Sequence, residues 1–248
     1  MRIDVLTLFP ELFETPLRTS LLGKAIEAGT LTVGVTNIRD FATDRHRTVD
    51  DEPFGGGAGM VMTCGPILAA VESLREKNSC AKVVMFSPRG RPLTQPVVRE
   101  LAAHEDLILI CGRYEGVDER VVELLAADEL SVGDYVLSGG ELPALTVIEA
   151  VSRMLPGVIG NAESVDTDSF ADGVLGPPQY TRPAEVAGAC VPDVLLSGHH
   201  GQIARWRRKE ALRLTKERRP DLLDACTKED AELLREIEAD AAGLGRGE

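Results

Sequence analysis

Short runs of Val, Ile and Leu recur through the first two thirds of the chain, each followed by a longer stretch in which apolar residues return every three or four positions. The short runs predict strands at residues 3–9, 31–36, 82–86, 107–111 and 130–136. The periodic stretches predict helices at 11–27, 66–77, 95–103, 118–127 and 141–155. Strand and helix alternate, so the expected fold class is α/β, with a mostly parallel sheet covered on both faces. Ligands of such sheets bind outside the carboxyl ends of the strands. Three glycine-bearing loops fall there: Ser87-Pro88-Arg89-Gly90-Arg91, Gly112-Arg113-Tyr114-Glu115-Gly116 and the run VGDYVLSGGELP at 132–143. In the last of these, Gly133, Gly139 and Gly140 admit positive φ and close backbone approach to a small molecule, while Glu141 suits a helix first turn.

The pattern changes after Leu155. Residues 156–182 are rich in Gly, Pro, Asp and Ser, lack periodicity and are long for a connection inside a compact domain, which marks a linker or lid. Residues 183–197 form a short apolar bridge. Helical spacing returns at 203–218, and helices at 220–226 and 228–241 complete a small α domain, with a frayed glycine-rich tail after Ala242. The expected division is a ligand-binding domain at 1–160, a flexible linker or lid at 161–182 and a helical domain at 183–248.

Composition narrows the class. A hydrophobic fraction of 44% and a charged fraction of 27% in 248 residues fit an ordinary globular protein of one large domain with an appendage. The apolar runs are far shorter than the roughly 20 residues that span a bilayer, and Met1-Arg2-Ile3-Asp4 opens no signal sequence, so no membrane association and a cytoplasmic location are expected. Cys64, Cys80, Cys111, Cys190 and Cys226 are widely spaced without a C-x-x-C pair, which favours reduced, mostly buried thiols over disulfides or a zinc site. A net charge of −13 argues against general nucleic-acid coating. Between His199 and Pro220, however, Arg and Lys exceed Glu by about six charges around Trp206. Such a segment suits an RNA backbone, and equally a solvated helix face.

No P-loop, dinucleotide fingerprint, H-E-x-x-H or G-x-S-x-G motif is present. The glycine loops are therefore left to hold a compact, partly apolar ligand through backbone contacts.

Several longer motifs then carry a resemblance: DRHRTVDDEPFGGGAGMVM at 44–62, SPRGRPL at 87–93, CGRYEGVDER at 111–120, VGDYVLSGGELP at 132–143, DSFADG at 168–173, YTRP at 180–183 and LLSGHH at 195–200. Together, in collinear order from Met1 to about residue 225, they resemble the bacterial tRNA (guanine-N1)-methyltransferase family. The resemblance implies a SPOUT-type parallel sheet with a deep trefoil knot, plus a small C-terminal α-helical domain. It implies S-adenosylmethionine as methyl donor, N1 of the guanosine just 3′ of the anticodon of tRNA as acceptor, and a homodimer with shared active sites. By matching motif it assigns the cofactor to Phe86, Ser87, Pro88, Gly112, Tyr114, Glu115, Val132, Gly133, Tyr135, Leu137, Gly139 and Gly140.

Guanine N1 carries a proton at neutral pH, so attack on a sulfonium methyl needs a base. Asp168 matches the family's base; without the resemblance it reads as an N-cap or an Asx turn ahead of Ser169-Phe170. Negative charge developing on guanine O6 needs a cation, and Arg153 matches the family's arginine; its alternative role is at a helix C-terminus. The resemblance also implies Mg²⁺, for which Glu115 and Asp168 are acidic candidates without a recognisable ligand cage. Arg45, His46, Arg47, Gly59, Ser164, His199, Arg205 and Arg208 are implied RNA contacts. Two departures from the family pattern stand out: Ala58 replaces a usual proline, and Met85 a frequent tyrosine. A ribose 2′-O methyltransferase of the same superfamily would share the cofactor loops but not DRHRTVDDEPFGGG with DSFADG, and a non-catalytic RNA-binding module would keep only the basic helix.

Overall fold

The computed structural model describes residues 1–76, 80–160 and 167–244. The chain divides into two compact units, Met1–Ala162 and Glu163–Glu248.

In the first unit the elements run β1 (Arg2–Thr7), α1 (Glu11–Glu14), α2 (Ser20–Glu27), β2 (Thr32–Asn37), β3 (Asp50–Asp51), β4 (Val61–Met62), α3 (Cys64–Arg75), β5 (Lys82–Pro92), α4 (Gln95–Ala102), β6 (Asp106–Ile110), α5 (Glu119–Leu125), β7 (Asp128–Ser131) and α6 (Glu141–Ser152). Five strands form one parallel sheet in the order β2-β1-β6-β5-β7. Strand β6 lies at its centre, and the connection from β6 to β7 passes over β5.

Period-two alternation explains the two-faced core. On β6, Leu107 and Leu109 pack with Val97, Leu101, Val147 and Ile148 from α4 and α6, together with Cys111 just past the strand. Ile108 and Ile110 point the other way, onto Ile67, Ala70 and Val71 of α3 and Val121 of α5. Each such residue is almost wholly withdrawn from water, worth about 1.5–3 kcal/mol per side chain.

The departures from sequence expectation are local. The helix expected at 11–27 is broken by a 3-10 turn at Pro16–Arg18, and Ser20 takes a φ of 56°. The strand expected at 130–136 stops at Ser131, because the Ser131 hydroxyl donates to the Gly133 carbonyl and Gly133 takes a φ of 153°. Strand β5 runs on to Pro92: its register with β7 slips between Phe86 and Arg91, leaving residues 87–90 as a protruding bulge. The thiols differ from expectation as well. Only Cys111 is buried, while Cys80 and Cys190 are exposed and Cys64 and Cys226 lie between.

The second unit holds a two-stranded hairpin, β8 (Glu185–Val186) and β9 (Ala189–Cys190), followed by α7 (Asp193–Leu196), α8 (His200–Arg218), a 3-10 segment (Pro220–Ala225) and α9 (Lys228–Leu244). Its core is small: Val174, Ala211, Leu212 and Leu233, with Leu223, Leu234 and Ile237 against them. The tail beyond Leu244 lies outside the described residues.

Candidate active site

The carboxyl ends of β5, β6 and β7 open into a cavity of about 1150 Å³. It is larger than the roughly 300–1,000 Å³ of common ligand pockets, with room for more than one small molecule. The β5 bulge supplies Phe86, Ser87 and Pro88; the loop after β6 supplies Gly112, Tyr114 and Glu115; the loop after β7 supplies Val132, Gly133, Tyr135, Leu137, Gly139 and Gly140. All twelve residues assigned to the cofactor by motif therefore line one cavity.

Two of these loops are locked together by backbone. Gly140 N–H donates to the Gly112 carbonyl at 3.0 Å, and Arg113 and Gly139 form an antiparallel bridge. A Cβ on Gly140 would stand 2.7 Å from Cys111 Cα, so only glycine allows the approach. Glu141 then acts from inside. Its side chain is almost fully buried, and Oε1 accepts from the Thr7 hydroxyl at 2.8 Å and from Arg113 Nε at 3.2 Å. Arg113 Nη2 lies 3.0 Å from Glu141 Oε2, Nη1 donates to the Ser138 carbonyl, and the guanidinium sits over the Phe9 ring at 4.3 Å. One buried carboxylate thus ties the end of β1, the loop after β6 and the loop after β7. Sequence reasoning read Glu141 only as a first-turn residue and did not single out Arg113; the C-G-R motif contained the signal, but the pairing spans 28 residues.

The lining mixes apolar faces (Phe86, Leu130, Val132, Leu137, Pro143) with carboxylates. Asp118 caps α5 and is held well below the ordinary carboxylate range, chiefly by its hydrogen bonds from Arg120. Arg89 is paired with Glu119 and Glu129. Asp51, Glu52 and Glu115 make no ion pair among the described residues, so the cavity has surplus negative charge suited to a cationic ligand. Burial pushes the Cys111 thiol well up, and burial with Asp118 raises that of Cys64, so both stay protonated and neither is an activated nucleophile. Among the described residues no group of three or more His, Cys, Asp or Glu is placed to hold a metal ion. The described residues do not fit a Mg²⁺ cage.

Other expected site residues fall elsewhere. Arg153 follows the last turn of α6 and does not line the cavity; α6 separates it from Gly140 by about 18 Å of helix. Arg45, His46 and Arg47 are exposed on a loop folded around Asp44, whose carboxylate accepts from His46 N, Thr48 N and the Thr48 hydroxyl. Arg47 pairs with Asp40, and Arg39 links this loop to the cavity by donating to the Arg47 carbonyl and the Tyr114 hydroxyl. Gly59 faces Glu115 so closely that a Cβ would stand 2.6 Å from that side chain. Ser164 lies outside the described residues.

In the second unit, Asp168 is exposed at a turn closed by Ala171 N–H to its carbonyl, with Phe170 at a φ of 69°. The turn is held to α8: Phe170 N–H donates to Val174, Val174 is in the small core, and Leu175 N–H donates to the Thr215 hydroxyl. His199 is exposed at the N-cap of α8. Arg205 and Arg208 are already engaged. Arg205 pairs with Glu236, while Arg208 forms a bidentate pair with buried Asp230 and contacts Asp172. Arg208, expected as an RNA contact, is engaged within the unit, where it ties α8 to α9.

A parallel sheet whose strand ends hold a spacious, partly anionic cavity between interlocked glycine loops defines an α/β protein with a ligand-sized site at the carboxyl edge of its sheet. The chain belongs to the tRNA (Guanine-1)-methyltransferase TrmD family, whose model matches residues 1–225. The tRNA (guanine-N(1)-)-methyltransferase of Gloeobacter violaceus is 57% identical over 224 residues, covering 90% of this chain and 98% of that protein. The proteins of the same name from Dehalococcoides mccartyi and Citrifermentans bemidjiense are each 52% identical, over 248 residues (99% and 100% of the two chains) and 240 residues (96% of each) respectively.

Proposed function

We propose that this protein transfers a methyl group from S-adenosylmethionine to N1 of a guanosine in tRNA, the guanosine being the one immediately 3′ of the anticodon (position 37). The observation that carries the reading is the cavity built from three glycine loops in a chain of this family. The residues fit the cofactor: glycines at 139 and 140 let the loops after β6 and β7 close on each other, apolar and aromatic side chains offer surfaces for an adenine, and carboxylates without an ion pair among the described residues suit a sulfonium. When bound, S-adenosylmethionine supplies an electrophilic methyl group. We also infer that the interlock of the loops after β6 and β7 belongs to a trefoil knot.

In this reading the chain's own groups position and discharge the guanine. Asp168 takes the N1 proton as the new C–N bond forms, and Arg153 offsets the charge that grows on O6. In this reading the protein is a homodimer in which one protomer supplies Asp168 to the cavity of its partner. The Arg45–Arg47 loop and Gly59, adjoining Tyr114 and Glu115, stand where RNA would approach.

The test is methyl transfer from labelled S-adenosylmethionine to a transcript with guanosine 3′ of the anticodon, run beside an adenosine-substituted transcript. Label on the first RNA alone is expected. Equal label on both rejects the target site, and label on neither rejects the activity.

A further inference from the structure

Helix α8 carries two basic stripes, and only one of them is open. Arg205, Lys209 and Lys216, spaced by four and seven residues, share one side of the helix. Each is matched by a carboxylate of α9: Arg205 by Glu236, Lys209 by Asp240 at 2.8 Å and Glu236 at 3.5 Å, and Lys216 by Glu238. His200, Arg207 and Arg218, spaced by seven and eleven, lie about 200° around the same helix. All three are exposed and make no ion pair among the described residues.

The carboxylates that cover the first stripe are not needed to hold α9 in place. Leu233, Leu234 and Ile237 already pack α9 against Ala211 and Leu212, and the buried Asp230 pairs with Arg208 and caps the helix through Thr227. The outer pairs are surface pairs, with carboxylates 43–65% exposed, and such pairs contribute little to stability. Their larger effect is on what else the cations can bind. Phosphate contact requires an available charge, and such contact is indifferent to sequence. Residues 228–244 also lie beyond the stretch matched by the family model.

We propose that the open edge His200–Arg207–Arg218 is the RNA-backbone surface of α8, and that Glu236, Glu238 and Asp240 mask the opposite stripe from sequence-independent RNA contact. The inference rests on tRNA being the substrate. It confines phosphate contact to one side of the helix and keeps three further cations from holding RNA that offers no target guanosine.

The experiment measures binding to the substrate transcript and to a non-substrate RNA across a salt series for the wild type and four variants. Arg207→Gln with Arg218→Gln is expected to weaken substrate binding several-fold and to flatten its salt slope by about 1.5. Arg205→Gln with Lys216→Gln is expected to change substrate binding less than twofold. Glu236→Gln with Glu238→Gln and Asp240→Asn is expected to tighten non-substrate RNA about tenfold and steepen its slope by about 2. Glu27→Gln with Glu72→Gln and Glu105→Gln makes the same change in net charge within the sheet unit and is expected to leave both RNAs unaffected. Equal losses from the two arginine-containing pairs overturn the assignment of faces. Equal tightening by the two carboxylate triples reduces the mask to net charge and overturns it. A wild-type protein that binds no RNA overturns the tRNA reading itself, and thermal melts confirm that each variant is folded.

Discussion

At the scale of single residues the site depends on groups that cannot be exchanged for near relatives. Gly140→Ala sets a methyl against the Cys111 backbone, and because the loop must back away from Gly112, S-adenosylmethionine affinity measured by calorimetry is expected to fall at least tenfold. Glu141→Ala leaves Arg113 facing Phe9 without its carboxylate, a broken buried pair that should cost about 3 kcal/mol in urea unfolding. Asp168→Asn should behave differently. Its turn is closed by its own backbone bonds and tied to α8 through Leu175 N–H and the Thr215 hydroxyl, so folding and cofactor binding are expected to hold while methyl transfer falls by at least about 100-fold. An unimpaired mutant would move the base elsewhere. Asp230 has its own signature. Hydrogen bonds from Arg208 in the first place hold its carboxyl well below the usual 3.8, so its contribution is full above that value and is lost as pH falls toward the lower folded value. Thermal melts of the wild type and Asp230→Asn should therefore differ at pH 7 and converge in strong acid.

At the scale of elements, the sequence is legible wherever burial imposes a period. The alternation in β6 and the three-to-four spacing in α3, α4 and α6 are visible in single residues such as Leu107, Ile108 and Leu109, because each face of the sheet demands an apolar side chain. The elements that end early or bend are those governed by hydrogen bonds without a period: Ser131 turning onto Gly133, the bulge that slips the register of β5, and the positive φ of Ser20. The candidate cavity was legible for the same reason as the strands, since glycine after a strand has a short list of uses. The pairing of α8 with α9 was not. A basic helix followed by an acidic one gives no rule for which charges meet, and Arg205 and Arg208 looked available until Glu236 and Asp230 were in place. One consequence is checkable: truncation after Thr227 should expose Leu212 and leave Arg208 without Asp230, so the shortened protein is expected to lose the helical signal of α8, which the three outer carboxylate substitutions should preserve.

For the whole molecule, the two units differ in the depth of their cores. The sheet unit has apolar layers on both faces, while the helical unit closes around Val174, Ala211, Leu212 and Leu233. Hydrogen exchange should accordingly report lower protection in α8 and α9 than in β6. If active sites are shared between protomers, co-expression of Asp168→Asn with a cavity-blocked Gly112→Val chain should give activity above either parent, because one working pair survives in each mixed dimer. No gain would confine the site to one chain.

The interlock of Gly112 with Gly140 also bears on how the protein is made. Residues 132–140 supply half of the cavity's expected ligand contacts and can do so only after the strand and loop ending at Gly112 are already in position. A chain caught before that docking lacks half of those contacts. Ligand occupancy is thus a report that assembly has finished, and by mass action the metabolite draws late intermediates toward the completed form, making the supply of methyl donor a contributor to the yield of folded enzyme.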